Sequence, residues 1–311
     1  MTGILSALAP VFGLIVLGYL LKARRVFTDA FWDPAERMTF YVLFPALLFT
    51  NIGTAPVGGL RVLPMAASLV AATLAAAGLA MALRPGLARR GLSGAGFVSV
   101  FQGAIRPNTY VGIAAAYALF GDAGLTLAAV AIVAVIPLVN FLGIVAHLRW
   151  AHPPQPEPVP GRGAALVTAV KNPIIVACVL GALLNLSGLG LPPVVGPMLE
   201  IMGRAALPLG LMAVGAGLDL AALRDDRAAL FGSATLKLAA TPALTLLACK
   251  AFGVAGATAA VAVLFMALPV SAASYVMSRQ LGGDSRLMAG IVTATTIGAG
   301  ATLPLWVLAA G

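Results

Sequence analysis

Charged residues are scarce in this chain. They account for only 9% of its 311 residues, whereas hydrophobic residues account for 61% and the mean hydropathy is +1.03. A soluble domain does not need this much apolar surface, so the composition excludes a soluble protein and indicates an integral membrane protein. Short segments of alternating polarity are also missing, which excludes a β-barrel. Apolar runs of roughly 18–24 residues recur along the whole length instead, as bilayer-spanning helices require.

Acidic residues and cysteines are few as well. The 10 acidic residues stand against 19 Lys and Arg, a net charge of +9. The basic residues lie mostly at helix ends, where they orient the chain, so this charge does not indicate a nucleic-acid partner. The two cysteines, Cys178 and Cys249, lie in apolar segments, which excludes a disulfide framework or a cysteine-based metal site. No HExxH motif, aspartate pair or Ser-His constellation lies at membrane depth, so the sequence predicts neither an enzyme nor a cofactor.

The apolar runs predict ten transmembrane helices. The longest link between them, AHPPQPEPVPG (151–161), contains prolines that cannot continue a helix. It leaves five spans on each side, and we assign residues 1–149 to the first half, 150–164 to a short cytoplasmic link and 165–311 to the second half. The predicted spans cover approximately residues 3–22, 36–54, 62–83, 96–120, 123–148, 166–187, 195–218, 228–251, 255–280 and 286–309.

Basic residues are divided unevenly between the loops on the two sides. The loops after odd-numbered spans contain most of them, beginning with Lys22, Arg24 and Arg25, whereas the opposite loops contain only Arg61 and Lys250. Basic loops face the cytoplasm. Both termini are therefore predicted on the outer, periplasmic side of the cell's inner (plasma) membrane.

The two halves resemble each other at a nearly constant offset of 162 or 163 residues. The segment 9–21 aligns with 172–184, 43–49 with 206–212, and 106–122 with 268–284. An odd number of spans in each half reverses the orientation of the second half. The pattern thus predicts a 5+5 inverted repeat, which is a common design of secondary transporters.

Prolines at matching places are predicted to break spans 4 and 9. Pro107 removes a backbone donor and disfavours helical geometry at Arg106, and Pro269 is its counterpart in the second half. The freed backbone groups are tolerated in a membrane only where they line a cavity inside the protein. The two breaks should therefore cross near the midplane and aim positive helix N-termini at one cavity, which suits an anion.

Polar side chains surround both breaks. Spans 3–5 and 8–10 offer Arg106 no acidic partner apart from aspartates at their ends, so an anionic substrate is its predicted counter-charge. Lys237 in span 8 is a second cation without an obvious partner, and snorkelling to the interface is an equally good interpretation of it. The predicted substrate-binding residues are Arg106, Asn108, Thr109, Ser271, Ser274, Tyr275 and Lys237.

Other polar residues are assigned structural or surface positions. Asn140 in span 5 is predicted as a buried structural residue that holds broken backbone or bonds across helices. Glu36 and Arg37 are interpreted as a structural ion pair at the start of span 2, and His147 as an exposed residue beside the central link.

Five segments resemble the auxin efflux carrier family, which includes plant auxin carriers and bacterial malonate-type carriers. RPNTYVGIAAAYALFG and ALPVSAASYVMSRQLGGD resemble its two crossover helices, and FYVLFPALLF, KNPIIVACVLGALLN and ALPLGLMAVGAGL resemble its second, sixth and seventh helices. The resemblance implies a homodimer with an elevator fold like that of bile-acid symporters, a scaffold of helices 1, 2, 6 and 7, and a transport domain of helices 3–5 and 8–10. It also implies transport of small organic carboxylates, with Pro107, Asn108 and Pro269 at the crossover and Asn108 on the carboxylate.

The chain also departs from this family's pattern. Spans 3 and 8 lack an acidic residue that could couple transport to protons, and Arg106 replaces a hydrophobic residue, which favours a more highly charged anion. The sequence therefore predicts a carrier of monovalent or divalent carboxylates in the lipid bilayer, driven by the anion gradient and the membrane potential. A sodium-coupled symporter of the bile-acid-carrier type is the alternative, although acidic ligands for a hard cation are few. A pore-forming channel is a further alternative.

Overall fold

The computed structural model describes residues 2–55, 62–151, 172–224 and 226–310, and within these ranges the protein is built from helices. Most of the predicted link 150–164 lies outside the described residues. The helices are α1 (Thr2–Ala23), α2 (Asp29–Met38), α3 (Phe44–Thr54), α4 (Val62–Arg89), α5 (Gly94–Ile105), α6 (Thr109–Trp150), α7 (Pro173–Ser187), α8 (Val195–Arg204), α9 (Ala206–Ala216), α10 (Arg227–Thr235), α11 (Thr241–Ala251), α12 (Gly256–Ala267), α13 (Ala273–Gln280) and α14 (Ser285–Ala310).

Six helical stretches of the described chain are long and apolar enough to cross a membrane. Helices α5, α7 and α12 are equally apolar but shorter. The protein is therefore an all-α, multi-pass membrane protein. The six long stretches are Thr2–Ala23, Val62–Arg89, Thr109–Trp150, Val195–Ala216, Arg227–Ala251 and Ser285–Ala310.

Two helical paths are interrupted at proline. Helix α5 ends at Ile105 and α6 begins at Thr109, with Arg106 extended between them (φ −97°, ψ 104°). Helix α12 ends at Ala267, and α13 begins only at Ala273. Each gap spans a proline that cannot donate to the preceding turn, so the backbone leaves helical geometry in both places.

Three other irregularities shape the helices. Gly121 divides α6 into two arms with a φ of 57°, a left-handed conformation that glycine adopts without strain. Wide π-helical turns at Thr39–Leu43 and Leu236–Ala240 join α2 to α3 and α10 to α11. A π turn inserts one extra residue into a continuous helix and rotates the side chains that follow it.

Glycines allow two helix pairs to approach closely. A Cβ atom on Gly18 of α1 would collide with the carbonyl of Met212 in α9. A Cβ on Gly181 of α7 would lie 3.0 Å from the carbonyl oxygen of Phe49 in α3. In a bilayer, packing of this kind replaces the hydrophobic force that assembles soluble helices.

Replacing Gly18 by Ala should therefore destabilise the protein. The new methyl group meets backbone atoms, which cannot rotate away, so we expect a loss of about 1–3 kcal/mol. The matched control is Gly13→Ala on the same helix, where a Cβ has open space and alanine improves helix propensity. Thermal unfolding in detergent should show a lower midpoint for the first variant alone. Equal midpoints would mean that α1 and α9 are not in this close contact.

Candidate functional site

The two interruptions lie side by side. The backbone N–H of Asn108 donates to the carbonyl of Pro269 at 2.8 Å, and the N–H of Ser271 donates to the carbonyl of Arg106 at 3.3 Å. These bonds form a short antiparallel bridge between the two extended segments. Each segment thereby supplies hydrogen-bond partners to backbone N–H and carbonyl groups of the other, which lipid hydrocarbon could not supply.

Asn108 also begins the second half of the first broken helix. Its Oδ1 accepts hydrogen bonds from the backbone N–H groups of Tyr110 (3.1 Å) and Val111 (3.3 Å), which is the usual geometry of a helix N-cap. The side chain is only 3% exposed. Because Oδ1 faces the helix end, the Nδ2 group is the part of this side chain left to donate to a ligand.

A cavity of about 540 Å³ lies beside the crossing. Arg106, Asn108, Thr109 and Ser271 line it, and its other walls come from α2, α9, α13, the start of α7 and the second arm of α6. The structure thus brings four of the seven predicted substrate-binding residues together around one cavity. The two crossover prolines differ in position. Pro107 lines the cavity, whereas Pro269 does not line it and contributes its carbonyl to the bridge.

Arg106 carries its positive charge at the cavity wall without a carboxylate partner among the described residues. Its Nη1 lies 3.3 Å from Oε1 of Gln102 and 3.4 Å from Sδ of Met277. The guanidinium is mostly buried, with the residue only 9% exposed. These neutral contacts fix the orientation of the guanidinium but do not compensate its charge, so it is available to an anion.

A buried polar network holds Gln102 behind Arg106. The Nε2 of Gln102 donates to Oγ of Ser278 at 3.3 Å and lies 3.4 Å from Nε2 of His147. The prediction of an exposed His147 is wrong, because the last turns of α6 pack against α5 and leave this residue 2% exposed, with Nδ1 2.7 Å from the carbonyl of Gly143. Sequence reasoning missed Gln102 because a single amide inside an apolar helix gives no signal of its partner.

Asn140 contributes to the cavity wall. It is 7% exposed, and its Oδ1 has no hydrogen-bond partner in the described part of the chain. Buried polar atoms are nearly always paired in folded proteins. Oδ1 is itself buried and lacks a partner among the described residues, so the structural role that the sequence predicts for Asn140 stays a prediction.

Three predicted site residues are not on this cavity wall. Ser274 is fully buried, and Tyr275, the next residue of α13, is 36% exposed. Lys237 is fully buried, and its Nζ donates to the backbone carbonyl of Met266 at 3.0 Å. It neither snorkels to an interface nor reaches the cavity.

The cavity also has charged residues that the sequence analysis assigned elsewhere. Glu36 and Arg37 line it together with Asp33, whereas the sequence suggested an ion pair of the first two. All three belong to the polar helix α2, which precedes the apolar segment. Because they precede the apolar part of span 2, hydropathy gives no sign that they reach a cavity inside the membrane.

Comparison with known proteins agrees with this architecture. Residues 162–307 match the family model described as membrane transport protein. An uncharacterized transporter of Methanothermobacter thermautotrophicus is 25% identical over 298 residues, which cover 94% of each chain. Over its second half the chain is thus similar to a family of membrane transport proteins, which agrees with the resemblance to auxin efflux carriers. The cavity at the crossing is therefore the candidate substrate site of a membrane transporter.

Asn108→Ala should lower the stability of this transporter by about 1 kcal/mol, because two backbone N–H groups of α6 lose their cap. Asn108→Asp is the matched control, since its carboxylate oxygen can accept the same two bonds. Thermal unfolding in detergent would compare them. An unchanged midpoint for the alanine variant would show that the cap contributes nothing to the fold.

Proposed function

We propose that this transporter carries small organic carboxylate anions, malonate-like or auxin-like in class, by an elevator type of alternating access. The observation that supports this most directly is the buried, uncompensated Arg106 guanidinium on the cavity wall beside Asn108. Arginine presents a planar pair of donors that matches a carboxylate. A cavity of about 540 Å³ has the size of a small-molecule site.

The N-terminus of α6 adds to the positive character of the site. Thr109 and Tyr110, its first two residues, line the cavity. A helix N-terminus carries a partial positive charge and favours an anion nearby. Asp33 and Glu36 bring negative charge to the same cavity. Because these two carboxylates repel an anion, Arg106 and the N-terminus of α6 must supply the attraction that holds the substrate.

An inverted repeat of five plus five spans is part of the proposal. The two bridge bonds support it. They map onto each other at an offset of 163 residues, which relates Arg106 to Pro269 and Asn108 to Ser271, one residue away from the sequence alignment that pairs the two prolines. The glycine contacts support it too. Gly18 packs on Met212 as Gly181 packs on Phe49, with the same 163-residue separation between equivalent residues. Equivalent contacts at one offset are the expected consequence of a pseudo-twofold axis.

The cavity's surroundings support the division into a scaffold and a moving unit. Helices α2, α7 and α9, from the proposed scaffold, line one side, and α6 and α13, from the proposed transport domain, line the other. Under the proposed topology, with both termini periplasmic in the inner membrane, these lining ends face the cytoplasm. The conformation is then inward-open. At the other end, Nδ2 of Asn51 in α3 donates to Oδ1 of Asp122 in α6 at 3.3 Å.

We further propose that the anion gradient and membrane potential drive transport in a homodimer. The alternative remains a sodium-coupled organic anion symporter of the bile-acid-carrier type. Sodium dependence of transport at clamped potential separates the two. Acidic residues that could serve as ligands for a hard cation are few in the sequence, which favours the sodium-independent mechanism.

Arg106→Ala should abolish counterflow of radiolabelled malonate in proteoliposomes, because the anion loses its counter-charge. Arg149→Ala, an exposed arginine at the end of α6, is the control and should transport like the wild type. Wild-type flux in the Arg106 variant would remove this residue from the site.

Cross-linking should reveal the elevator movement. A cysteine pair at Asn51 and Asp122 would join the proposed scaffold to the proposed transport domain, so a short thiol cross-linker should stop malonate counterflow until it is reduced. A pair at Ala55 and Asn185, whose Nδ2 donates to the Ala55 carbonyl at 2.8 Å, lies within the scaffold and serves as the control. The two native cysteines are buried and would first be replaced by alanine. Full transport through the cross-linked first pair would contradict an elevator.

A further inference from the structure

One helical stretch contacts the C-terminal ends of the first halves of both broken helices, and its two donor residues do not line the cavity. Thr241 Oγ1 donates to the carbonyl of Ala104 at 3.0 Å, and Lys237 Nζ donates to the carbonyl of Met266 at 3.0 Å. Ala104 lies in the last turn of α5, and Met266 in the last turn of α12. The two donors are four residues apart and therefore on one face of their helix.

The π turn at Leu236–Ala240 helps to set this arrangement. The N–H of Thr241 bonds to the carbonyl of Leu236, five residues earlier, and the Thr241 hydroxyl donates to the same carbonyl at 2.9 Å. Lys237 lies inside this turn. Local irregularity of this kind is unfavourable in an ordinary membrane helix and often accompanies functional sites.

Both contacted carbonyls lie at a helix C-terminus, where they need a hydrogen-bond donor or a positive charge. The last four carbonyls of a helix lack intrahelical partners, and the C-terminus carries a partial negative charge. Both ends here are buried inside the protein. In carriers built on broken helices, such ends and the adjoining unwound carbonyls are where a coupling Na⁺ binds.

We propose that the Lys237 ammonium takes the place of a coupling Na⁺. It lies beside the C-terminal carbonyls of the broken helices, where a sodium-coupled carrier would bind this ion. Lys237 is fully buried, and the described residues give it a carbonyl partner but no carboxylate. A buried ammonium requires compensating dipoles, and the C-terminus of α12 supplies them. The ammonium of Lys237 thus stays at this position throughout the transport cycle, and transport does not require Na⁺. The transport part of this inference rests on the proposed function.

Chemical rescue tests the proposal. Lys237→Ala should lower the thermal unfolding temperature in detergent. n-Butylammonium should raise it again, because it can fill the space of the missing lysine side chain and supply an ammonium group there. Lys237→Met keeps the volume without the charge, so its unfolding temperature should fall and n-butylammonium should not restore it. Lys250→Ala, an exposed lysine of α11, is the control and should unfold like the wild type with or without the amine. Exchange of Na⁺ for choline should leave the wild type unchanged.

Three results would overturn the proposal: a Lys237→Met variant as stable as the wild type, no rescue of Lys237→Ala by the amine, or stabilisation of the wild type by Na⁺. If Lys237→Ala does not fold, the Lys237→Met and wild-type sodium measurements decide alone. Both measurements are independent of the substrate. Absent malonate counterflow in the wild type would count against the proposed function, whereas the unfolding data would still decide the role of Lys237.

Discussion

The bridge between the two broken helices is the constraint on which the site depends. Hydrocarbon offers no partner to an interrupted backbone, so two isolated proline breaks would each leave costly unpaired groups. Placed side by side, they pair through the bonds that join Asn108 to Pro269 and Ser271 to Arg106. The breaks are stable only together. Any movement of this region must therefore carry both segments as one body, which is what an elevator mechanism requires.

The crossing also separates charge. The second half of the first broken helix presents its positive N-terminal end to the cavity, where Arg106 adds a full charge. The first halves of both helices end at carbonyls that Thr241 and Lys237 bind away from the cavity lining. One side of the bridge is thus suited to an anion, and the other is already compensated by a cation of the chain. The same geometry explains why two buried cations coexist with so few buried carboxylates.

Much of the fold could be predicted from the sequence, because hydropathy and proline depend on local chemistry. The apolar runs indicated an all-α membrane protein, and Pro107 and Pro269 marked the places where helices α5 and α12 end. The offset between the halves also pointed to Arg106 and Asn108 as neighbours of one cavity. These inferences needed only the rules that lipid imposes on a backbone.

The partners of buried side chains could not be predicted in the same way. Lys237 contacts a carbonyl 29 positions along the chain, and Gln102 reaches His147 and Ser278 on two other helices. Such pairs depend on the direction in which each side chain leaves its helix. A π turn rotates the following side chains about the helix axis by part of a turn, and the sequence gives no clear sign of it. The sequence placed Lys237 and Arg106 inside predicted spans, but it could not distinguish a ligand contact from a structural charge or, for Lys237, from a side chain that snorkels to the interface. The structure distinguishes the two roles because Arg106 lines the cavity and Lys237 does not. Which residues line the cavity depends on how the two broken helices cross, and neither helix alone determines it.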